Sequence, residues 1–417
     1  MVTPPKTAVR RLAVARLISL TGGAAAFMAL NFTIYQRTHS PTWVAAALFL
    51  TFGTVGFASA FAGALGDRFD RQRVMIISDL AGAAFFLAMA FAHAPWLLLA
   101  FAFLAAVVEA PFLSSSSAAI PNLVDEEHLG WANGLVSLGR NAGIVIGPLL
   151  GGLLVSTIGS GAVFAANAVT FVASAGLVAT VRARFNTARH DDEDHKGLRA
   201  GFRFLRTDRV LRTVTLAWLA IVLGLGMTMV ADVPLVELFS AGSIGYGILI
   251  ACWGGGSIVG SLLGRFVKAR NEGPVVIMGL AVVAGTSVVV GVSPWFVLSL
   301  GAIFAMGVGD GASLVAEQGI MQRRTPDAVR SRVMGAFDSV IHMGMAASYV
   351  VAGPAVAWLG PKGVYIVGGG VAFVGVVIAL PILRAGRVAG AMADAALSRP
   401  PAGEGRELVD PASLLVR

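Results

Sequence analysis

The feature that most constrains this chain is a series of twelve apolar stretches, each long enough to cross a lipid bilayer. A transmembrane helix needs about 20 consecutive, mostly apolar residues. The first stretch is too long for the core of a signal peptide and lacks a convincing cleavage site, so we predict that it stays in the mature protein. We predict helices at 15–36, 42–65, 74–93, 96–118, 132–155, 162–182, 211–235, 244–266, 274–292, 295–319, 332–357 and 363–383.

The composition agrees with an all-α membrane protein. Of the 417 residues, 56% are hydrophobic and 13% are charged, whereas about a quarter of the residues in a soluble domain are charged. Cys252 is the only cysteine, so no intrachain disulfide can form. The six histidines are scattered, and the run His190-Asp-Asp-Glu-Asp-His195 is typical of a solvated loop. We therefore predict neither a metal site nor a cofactor.

The basic residues are concentrated on one side of the predicted membrane. If both termini are cytoplasmic, 28 of the 31 Lys and Arg residues lie inside. Arg37 and Lys362 lie outside, and Arg140 lies within a span. The positive-inside rule therefore predicts a multi-pass protein of the inner (plasma) membrane with cytoplasmic termini. This placement also explains the net charge of +8 without a nucleic-acid partner.

Short motifs recur in the two halves of the chain. Ala94-Pro95-Trp96 returns as Ser293-Pro294-Trp295, and Gly147-Pro148 returns as Gly353-Pro354. The pattern predicts a duplicated six-helix unit, with one bundle at 1–182 and another at 211–385. Parallel repeats of this kind build transporters whose site lies between the halves.

The segment that joins the halves, 183–210, is polar and basic. Leu198, Phe202 and Leu205 fall on one helical face between arginines, which predicts a cytoplasmic linker with an amphipathic helix on the inner leaflet. A fully solvated linker is the alternative. Residues 386–417 are rich in Pro, Gly and Ala and predict a disordered cytoplasmic tail.

Two motifs stand out, one in the loop after the second span and one in the fifth span. They read Gly63-Ala-Leu-Gly-Asp67-Arg68-Phe-Asp70-Arg71-Gln-Arg73 and Gly143-x-x-x-Gly147-Pro148-x-x-Gly151-Gly152. Both resemble motifs of the major facilitator superfamily, and the resemblance covers residues 10–385. The loop motif, together with Val74-Met-Ile-Ile-Ser-Asp79-Leu, is similar to the branch that holds the enterobactin exporter and macrolide efflux proteins. The motif in the fifth span is similar to the antiporter motif.

The resemblance implies a gate on the inner side. Asp67 would face the start of the eleventh helix, where helix N-termini carry partial positive charge, and lock the halves together. Arg68, Arg71 and Arg73 would hold nearby phosphates or carboxylates. A basic loop that serves only topology is the alternative. The second half departs from the motif, because Gly264 stands where the first half has Asp67.

The antiporter motif also has a packing interpretation. Gly143, Gly147 and Gly151 are spaced four apart and share one helix face, which lets helices approach closely. Pro148 removes a backbone donor and bends the helix. Small residues here could seal the cavity on one side, and ordinary packing is the alternative to a specific role in export. A second departure from this branch is Gly22-Gly23, where Gly-Asp is frequent.

Two acidic residues lie in the middle of predicted spans, Glu109 in the fourth and Asp310 in the tenth. Charged groups at the helix centre cost about 2.5–3.5 kcal/mol on insertion scales, so they usually face a cavity and serve function. The two residues occupy equivalent places in the repeat, and the resemblance implies that their helices line the central cavity. We predict a role in coupling or substrate contact. A structural pair of Glu109 with Arg140 is the alternative.

Other polar residues in spans are weaker candidates. Asp338 and His342 are spaced i, i+4 and predict either a proton relay or a satisfied polar pair. Asn31 and the run Ser114–Ser117 are candidates to line the pore, although serines in spans often bond to their own helix. Glu317 and Asp232 lie near span ends, where we predict only a structural role.

The sequence predicts a secondary active transporter, not an enzyme. It contains no phosphate-binding Walker loop, no zinc pattern and no nucleophile motif in a plausible context. The leading hypothesis is a monomeric, proton-coupled antiporter that exports a drug, siderophore or similar amphiphilic metabolite, with a possible role in multidrug resistance. Its partners would be the substrate, protons and the lipid bilayer. An importer and a non-transporting membrane sensor or assembly partner are the alternatives.

Overall fold

The computed structural model describes residues 4–53, 69–182, 185, 197–326 and 329–383. Within these ranges the chain is helical and has no strand. The helices of the first half are α1 Pro5–Thr38, α2 Pro41–Leu48, α3 Arg71–Phe91, α4 Pro95–Leu123, α5 Leu129–Ile158 and α6 Ser160–Ala179. Those of the second half are α7 Gly197–Thr207, α8 Arg209–Leu238, α9 Gly242–Leu263, α10 Glu272–Val292, α11 Phe296–Arg324 and α12 Arg330–Ala379.

Two of these helices depart from regular α-helical geometry. The helix α2 continues as a π-helical turn over Phe49–Gly53, and the rest of the predicted span 42–65 lies outside the described residues. The helix α12 contains two spans, because Gly360 adopts a φ of 71° that interrupts the helical backbone. Such a left-handed conformation favours glycine. We call the parts before and after Gly360 the first and second arms of α12.

Polar side chains cap the start of two helices. The Asp70 carboxylate accepts a hydrogen bond from the Arg73 amide at the start of α3. Asp208 accepts hydrogen bonds from the amides of Val210 and Leu211 at the start of α8. These side chains satisfy amide groups that have no partner within the helix.

The prediction of an all-α membrane protein with twelve transmembrane helices in two six-helix bundles is confirmed. Ten described helices are long and apolar enough to cross a membrane. One of them, α12, is counted once although it holds two spans. Pro41–Gly53 is a shorter apolar helix. In the first bundle α1 packs on α5 and α6, and α3 packs on α4 and α6. In the second bundle α8 packs along α12, and α11 packs between α9 and α10.

The helix α7 falls within the predicted linker and carries Arg199, Arg203 and Arg206 on its exposed side. Its buried side packs on the start of α12, where a Cβ atom on Gly201 would collide with the carbonyl oxygen of Arg332. Leu205, on the apolar face from which the inner-leaflet contact was predicted, is buried in the protein core, and Phe202 packs against that core. Contact of α7 with the inner leaflet stays a prediction. The predicted tail at 386–417 lies outside the described residues.

The two halves touch at the ends that the charge distribution predicts to be outside, which we call the outer side. The hydroxyl of Ser243 on α9 donates a hydrogen bond of 2.9 Å to the carbonyl oxygen of Gly152 on α5. On the same side, Gly353 of α12 lies against Thr42 of α2. We call these contacts, α5 with α9 and α2 with α12, the outer seal.

Candidate functional site

The loop motif is described only in part, since Gly63, Asp67 and Arg68 lie outside the described residues. The Arg71 guanidinium donates hydrogen bonds to the carbonyl oxygens of Ala118, at 3.0 Å, and Phe185, at 3.4 Å. Arg73 is exposed. Arg71 therefore ties the start of α3 to the inner end of α4, which is a packing role in addition to the predicted gating role.

The antiporter motif lies between two helices. Gly143, Gly147 and Gly151 are buried against the backbone of α1. A Cβ atom on Gly147 would lie 2.6 Å from the carbonyl oxygen of Thr21, and real Cβ atoms do not approach so closely. The carbonyl of Pro148 faces the opposite way and contacts Gly247 of α9. The motif therefore joins the first bundle internally and also forms part of the outer seal.

Glu109 lies on the buried face of α4 and is partly exposed. Ala102, Ala105 and Ala106 lie on the same face, so the carboxylate points towards the interior of the first bundle. Its neighbour there is Asp79 of α3, which is close enough for the two charges to repel. The structure thus brings together two acidic residues.

Asp79 was not predicted as a site residue. Its side chain is fully buried, and neither carboxylate oxygen has a hydrogen-bond partner among the described residues. The hydroxyl of Ser174 on α6 lies beside it and is placed to donate to the carboxylate, although the two groups do not meet strict hydrogen-bond geometry. Asp79 lies near the start of the predicted span 74–93, so the criterion that selected Glu109, an acidic residue in the middle of a span, did not single it out.

Arg140 is exposed, and no ion pair between it and Glu109 occurs among the described residues. It lies instead within electrostatic range of Arg16 on α1. Arg16 is buried, and its Nε atom has no hydrogen-bond partner among the described residues. The two arginines place positive charge between α1 and α5.

Asp310 and Glu317 are two turns apart on one buried face of α11. Asp310 is partly exposed, and its carboxylate has no hydrogen bond or ion pair among the described residues. Glu317 is buried, and Asp338 of α12 lies close enough to act on it electrostatically. His342 donates a 2.7 Å hydrogen bond through Nδ1 to the carbonyl oxygen of Asp338.

Both Asp338 and His342 are exposed near the inner end of α12. Together with Glu317 they form a series that leads from the surface towards the buried face of α11. This arrangement is compatible with the predicted relay, and it adds Glu317, for which a structural role was predicted.

Asn31 is 1% exposed, and its amide nitrogen donates to the Phe27 carbonyl oxygen at 2.9 Å. Its amide oxygen has no hydrogen-bond partner among the described residues. Ser115 and Ser116 of the serine run are also buried, and Ser116 donates to the Leu113 carbonyl oxygen of its own helix. These side chains lie in the packed interior of the first bundle.

Asp232 is the second acidic residue whose surroundings the sequence did not reveal. The Tyr365 hydroxyl donates a short hydrogen bond to its Oδ1 atom. Tyr246 and Tyr349 are near enough to interact electrostatically with the same carboxylate. No local pattern connects these residues, because the tyrosines lie on two other helices, α9 and α12.

Comparisons with known proteins agree with this architecture. A family model described as Major Facilitator Superfamily matches residues 12–284. Enterobactin exporter EntS of Shigella boydii serotype 18 is 26% identical over 340 residues, which cover 79% of this chain and 80% of that protein. Enterobactin exporter EntS of Escherichia coli O1:K1 / APEC shows the same identity and coverage.

Solved structures share the fold at low sequence identity. One structure of the nucleoside transporter NupG is 11% identical to this chain and has a TM-score of 0.75. The match covers 90% of this chain and 98% of that one. An inward-facing, unoccupied bacterial homologue of the human lysosomal transporter Spinster has a TM-score of 0.70 at 15% identity, and it covers 92% of this chain and 96% of its own. The duplicated bundles, the loop and antiporter motifs and the family match lead to one conclusion: this chain is a transporter that belongs to the Major Facilitator Superfamily.

Proposed function

We propose that this transporter exports a small amphiphilic molecule in exchange for protons by alternating access. It would act as a monomer in the inner (plasma) membrane, with both termini in the cytoplasm. The observation that carries the proposal is a set of carboxylates inside the bundles without a basic partner among the described residues. They are Asp79 and Glu109 in the first bundle and Asp310 and Glu317 in the second.

These charges are costly inside the membrane. An ionised side chain at the bilayer centre costs about 2.5–3.5 kcal/mol on insertion scales, and no described arginine or lysine offsets that cost at Glu109 and Asp310, which lie in the middle of their spans. Protonation removes the charge, so each carboxylate can hold a proton in one conformation and release it in another. Moving one charge across 100 mV is worth about 2.3 kcal/mol, which can drive accumulation by several tens of fold.

The direction and the substrate class rest on the relatives. Proteins named as enterobactin exporters match most of this chain, which favours export of a siderophore or a similar metabolite. Drugs are the other candidate class, and their export would confer multidrug resistance. Arg16 and Arg140 suit a substrate with acidic groups, because they place positive charge between α1 and α5.

Inside-out membrane vesicles with an acidic interior test the proposal. We expect uptake of iron-free enterobactin or of ethidium, and we expect nigericin, which dissipates the pH gradient, to stop it. Glu109→Gln and Asp79→Asn should abolish this uphill uptake and spare exchange of preloaded substrate. Glu127→Gln is the matched control, because Glu127 is an exposed residue paired only with His128.

Three results would contradict the proposal. Accumulation only in right-side-out vesicles would identify an importer. Uptake that does not depend on the pH gradient, or that persists in Glu109→Gln and Asp79→Asn, would rule out proton coupling. If a wide screen of siderophores and toxic compounds found no transport by correctly inserted protein, a sensor or assembly role would replace the transporter role.

A further inference from the structure

Asp232 lies on α8, less than two turns before that helix ends on the outer side at Leu238. Tyr365, on the second arm of α12, donates a short hydrogen bond to its carboxylate. Tyr246 of α9 and Tyr349 on the first arm of α12 interact with the same carboxylate electrostatically. We call these four residues the tyrosine cage.

The cage is a built site and not a chance contact. The chain has only four tyrosines: Tyr365 bonds to Asp232, and Tyr246 and Tyr349 lie within electrostatic range of it. These three side chains are buried, and Tyr349 also directs its hydroxyl to the Met229 sulfur atom at 3.6 Å. Asp232 itself is partly exposed, so the space between the helices reaches it.

No described basic side chain balances the charge of Asp232. The nearest lysine along the second arm of α12, Lys362, donates to the Ser293 carbonyl oxygen and lies over the Phe239 ring. Glu237, further along α8, acts on Tyr35 of α1. The tyrosine hydroxyls can donate hydrogen bonds to a carboxylate and can accept one from a neutral acid, so the cage can accommodate either state.

The cage lies directly behind the outer seal. Tyr246 precedes Gly247, which contacts the Pro148 carbonyl of α5 across the seal. Tyr349 is one turn before Gly353, which contacts Thr42 of α2. The helix that carries Asp232, α8, itself contacts α1 and α2 of the other half. Any rearrangement around Asp232 therefore acts on the helices that close the outer side.

We propose that Asp232 and its three tyrosines form a proton site that controls the outer seal. In the outward-open state, a proton from the outer water binds a carboxylate oxygen of Asp232. The neutral acid is cheaper to bury than the carboxylate, so protonation favours the closed seal that the structure shows. The proton then leaves to the space between the halves, and the restored charge favours hydration and opening.

This inference rests on the proposed function, in which proton binding drives the exchange of conformations. An exporter that exchanges substrate for protons should close its outer side after it has taken up a proton from outside. Neutral Asp232 favours this closed outer side. Asp232→Asn, which imitates the neutral acid, should therefore hold the outer seal closed at every pH.

The first experiment observes the tyrosines directly. Full-length protein labelled with 3-fluorotyrosine has four fluorine NMR signals, one for each tyrosine. We expect three of them to shift together when the pH is changed between about 5.5 and 8.5, while the signal of Tyr35 follows a separate course. Asp232→Asn should abolish the common shift, and Asp125→Asn, at an exposed position, should preserve it.

The second experiment measures the seal. Spin labels at Thr157→Cys on α5 and Ile244→Cys on α9, in a Cys252→Ser background, report the separation of the two halves on the outer side. We expect the longer distance to gain population at the higher pH in the parent protein. Asp232→Asn should remain at the short distance, and Tyr365→Phe should shift the midpoint without removing the transition.

The outcomes separate this inference from the proposed function, because neither experiment needs a substrate or a gradient. If vesicles show no proton-driven export but the tyrosine signals and the seal still respond through Asp232, the proposed function is wrong and the proton site stands. If export depends on protons but the seal opens normally in Asp232→Asn, the inference is wrong. Tyrosine signals that respond to sodium and ignore pH would also overturn it.

Discussion

The hydroxyl of Ser243 donates to the carbonyl oxygen of Gly152 at 2.9 Å, and this bond joins the second half of the chain to the first. The two helices approach closely at this point, because Gly152 of α5 and Gly247 of α9 place backbone against backbone. A buried hydrogen bond contributes about 0.5–1.5 kcal/mol net. It is therefore a measurable part of the preference for a closed outer side.

Removal of this hydrogen bond should open the seal more often. For Ser243→Ala we expect the open population to rise by roughly fivefold, which corresponds to about 1 kcal/mol. The measurement is the rate at which a membrane-impermeant maleimide labels Ala45→Cys, a buried position against Gly353, in a Cys252→Ser background. Ser156→Ala is the control, since Ser156 bonds only to its own helix, and an equal increase there would contradict this account.

Neutralising Asp79 should abolish proton-driven transport without lowering the stability of the protein. Its carboxylate is fully buried without a hydrogen-bond partner among the described residues, and an unpaired buried charge is costly. We expect Asp79→Asn to melt at the same temperature as the parent protein or a higher one, while proton-driven transport is lost. A lower melting temperature together with normal coupling would show that Asp79 has a purely structural role.

Enlarging the glycine at the centre of the antiporter motif should destabilise the first bundle. A side chain on Gly147 would meet the Thr21 carbonyl oxygen and the Ala24 methyl group, and overpacking of this kind costs about 1–3 kcal/mol. We expect Gly147→Val to lower the melting temperature in detergent. Gly134→Ala on the same helix has open space around it and should melt like the parent protein.

An ion pair fixes the inner ends of α10 and α11. Glu272 is 5% exposed and binds the guanidinium of Arg323, whose Nε donates to Oε2 at 3.3 Å. Breaking a buried pair costs about 3–5 kcal/mol, and the half-exposed arginine reduces this figure. We expect Glu272→Gln to lower the free energy of unfolding by about 1–3 kcal/mol, measured by denaturant titration. Glu127→Gln at an exposed pair should change it by less than about 1 kcal/mol.

The fold could be predicted because apolar length is a local property. The separation of 332–357 from 363–383 matches the break at Gly360, even though the backbone there is otherwise continuous helix. The start of α1 was predicted ten residues late. Ala8, Val9 and Leu12 are buried against the inner part of the bundle, so this extension depends on tertiary packing and not on a membrane-length apolar run.

Less of the candidate site than of the fold could be predicted from the sequence. A charge in the middle of a span is visible in the chain, and on that ground Glu109 and Asp310 could be predicted, whereas Asp79 lies near the inner end of its span. The orientation of Glu109 towards α3 depends on how α4 is rotated in the bundle, which composition does not determine. The surroundings of Asp232 depend on three tyrosines from two other helices, and the chain gives no local sign that they converge.

The helix α5 presents almost bare backbone on two sides, to α1 through Gly147 and Gly151 and to α9 through Pro148 and Gly152. The first surface lies within one bundle, whereas the second belongs to the outer seal. A side chain added at Gly152 would meet the Ser243 carbonyl oxygen, and one added at Gly247 would meet the Pro148 carbonyl oxygen. The absence of a side chain at these two positions therefore sets how tightly the outer side can shut.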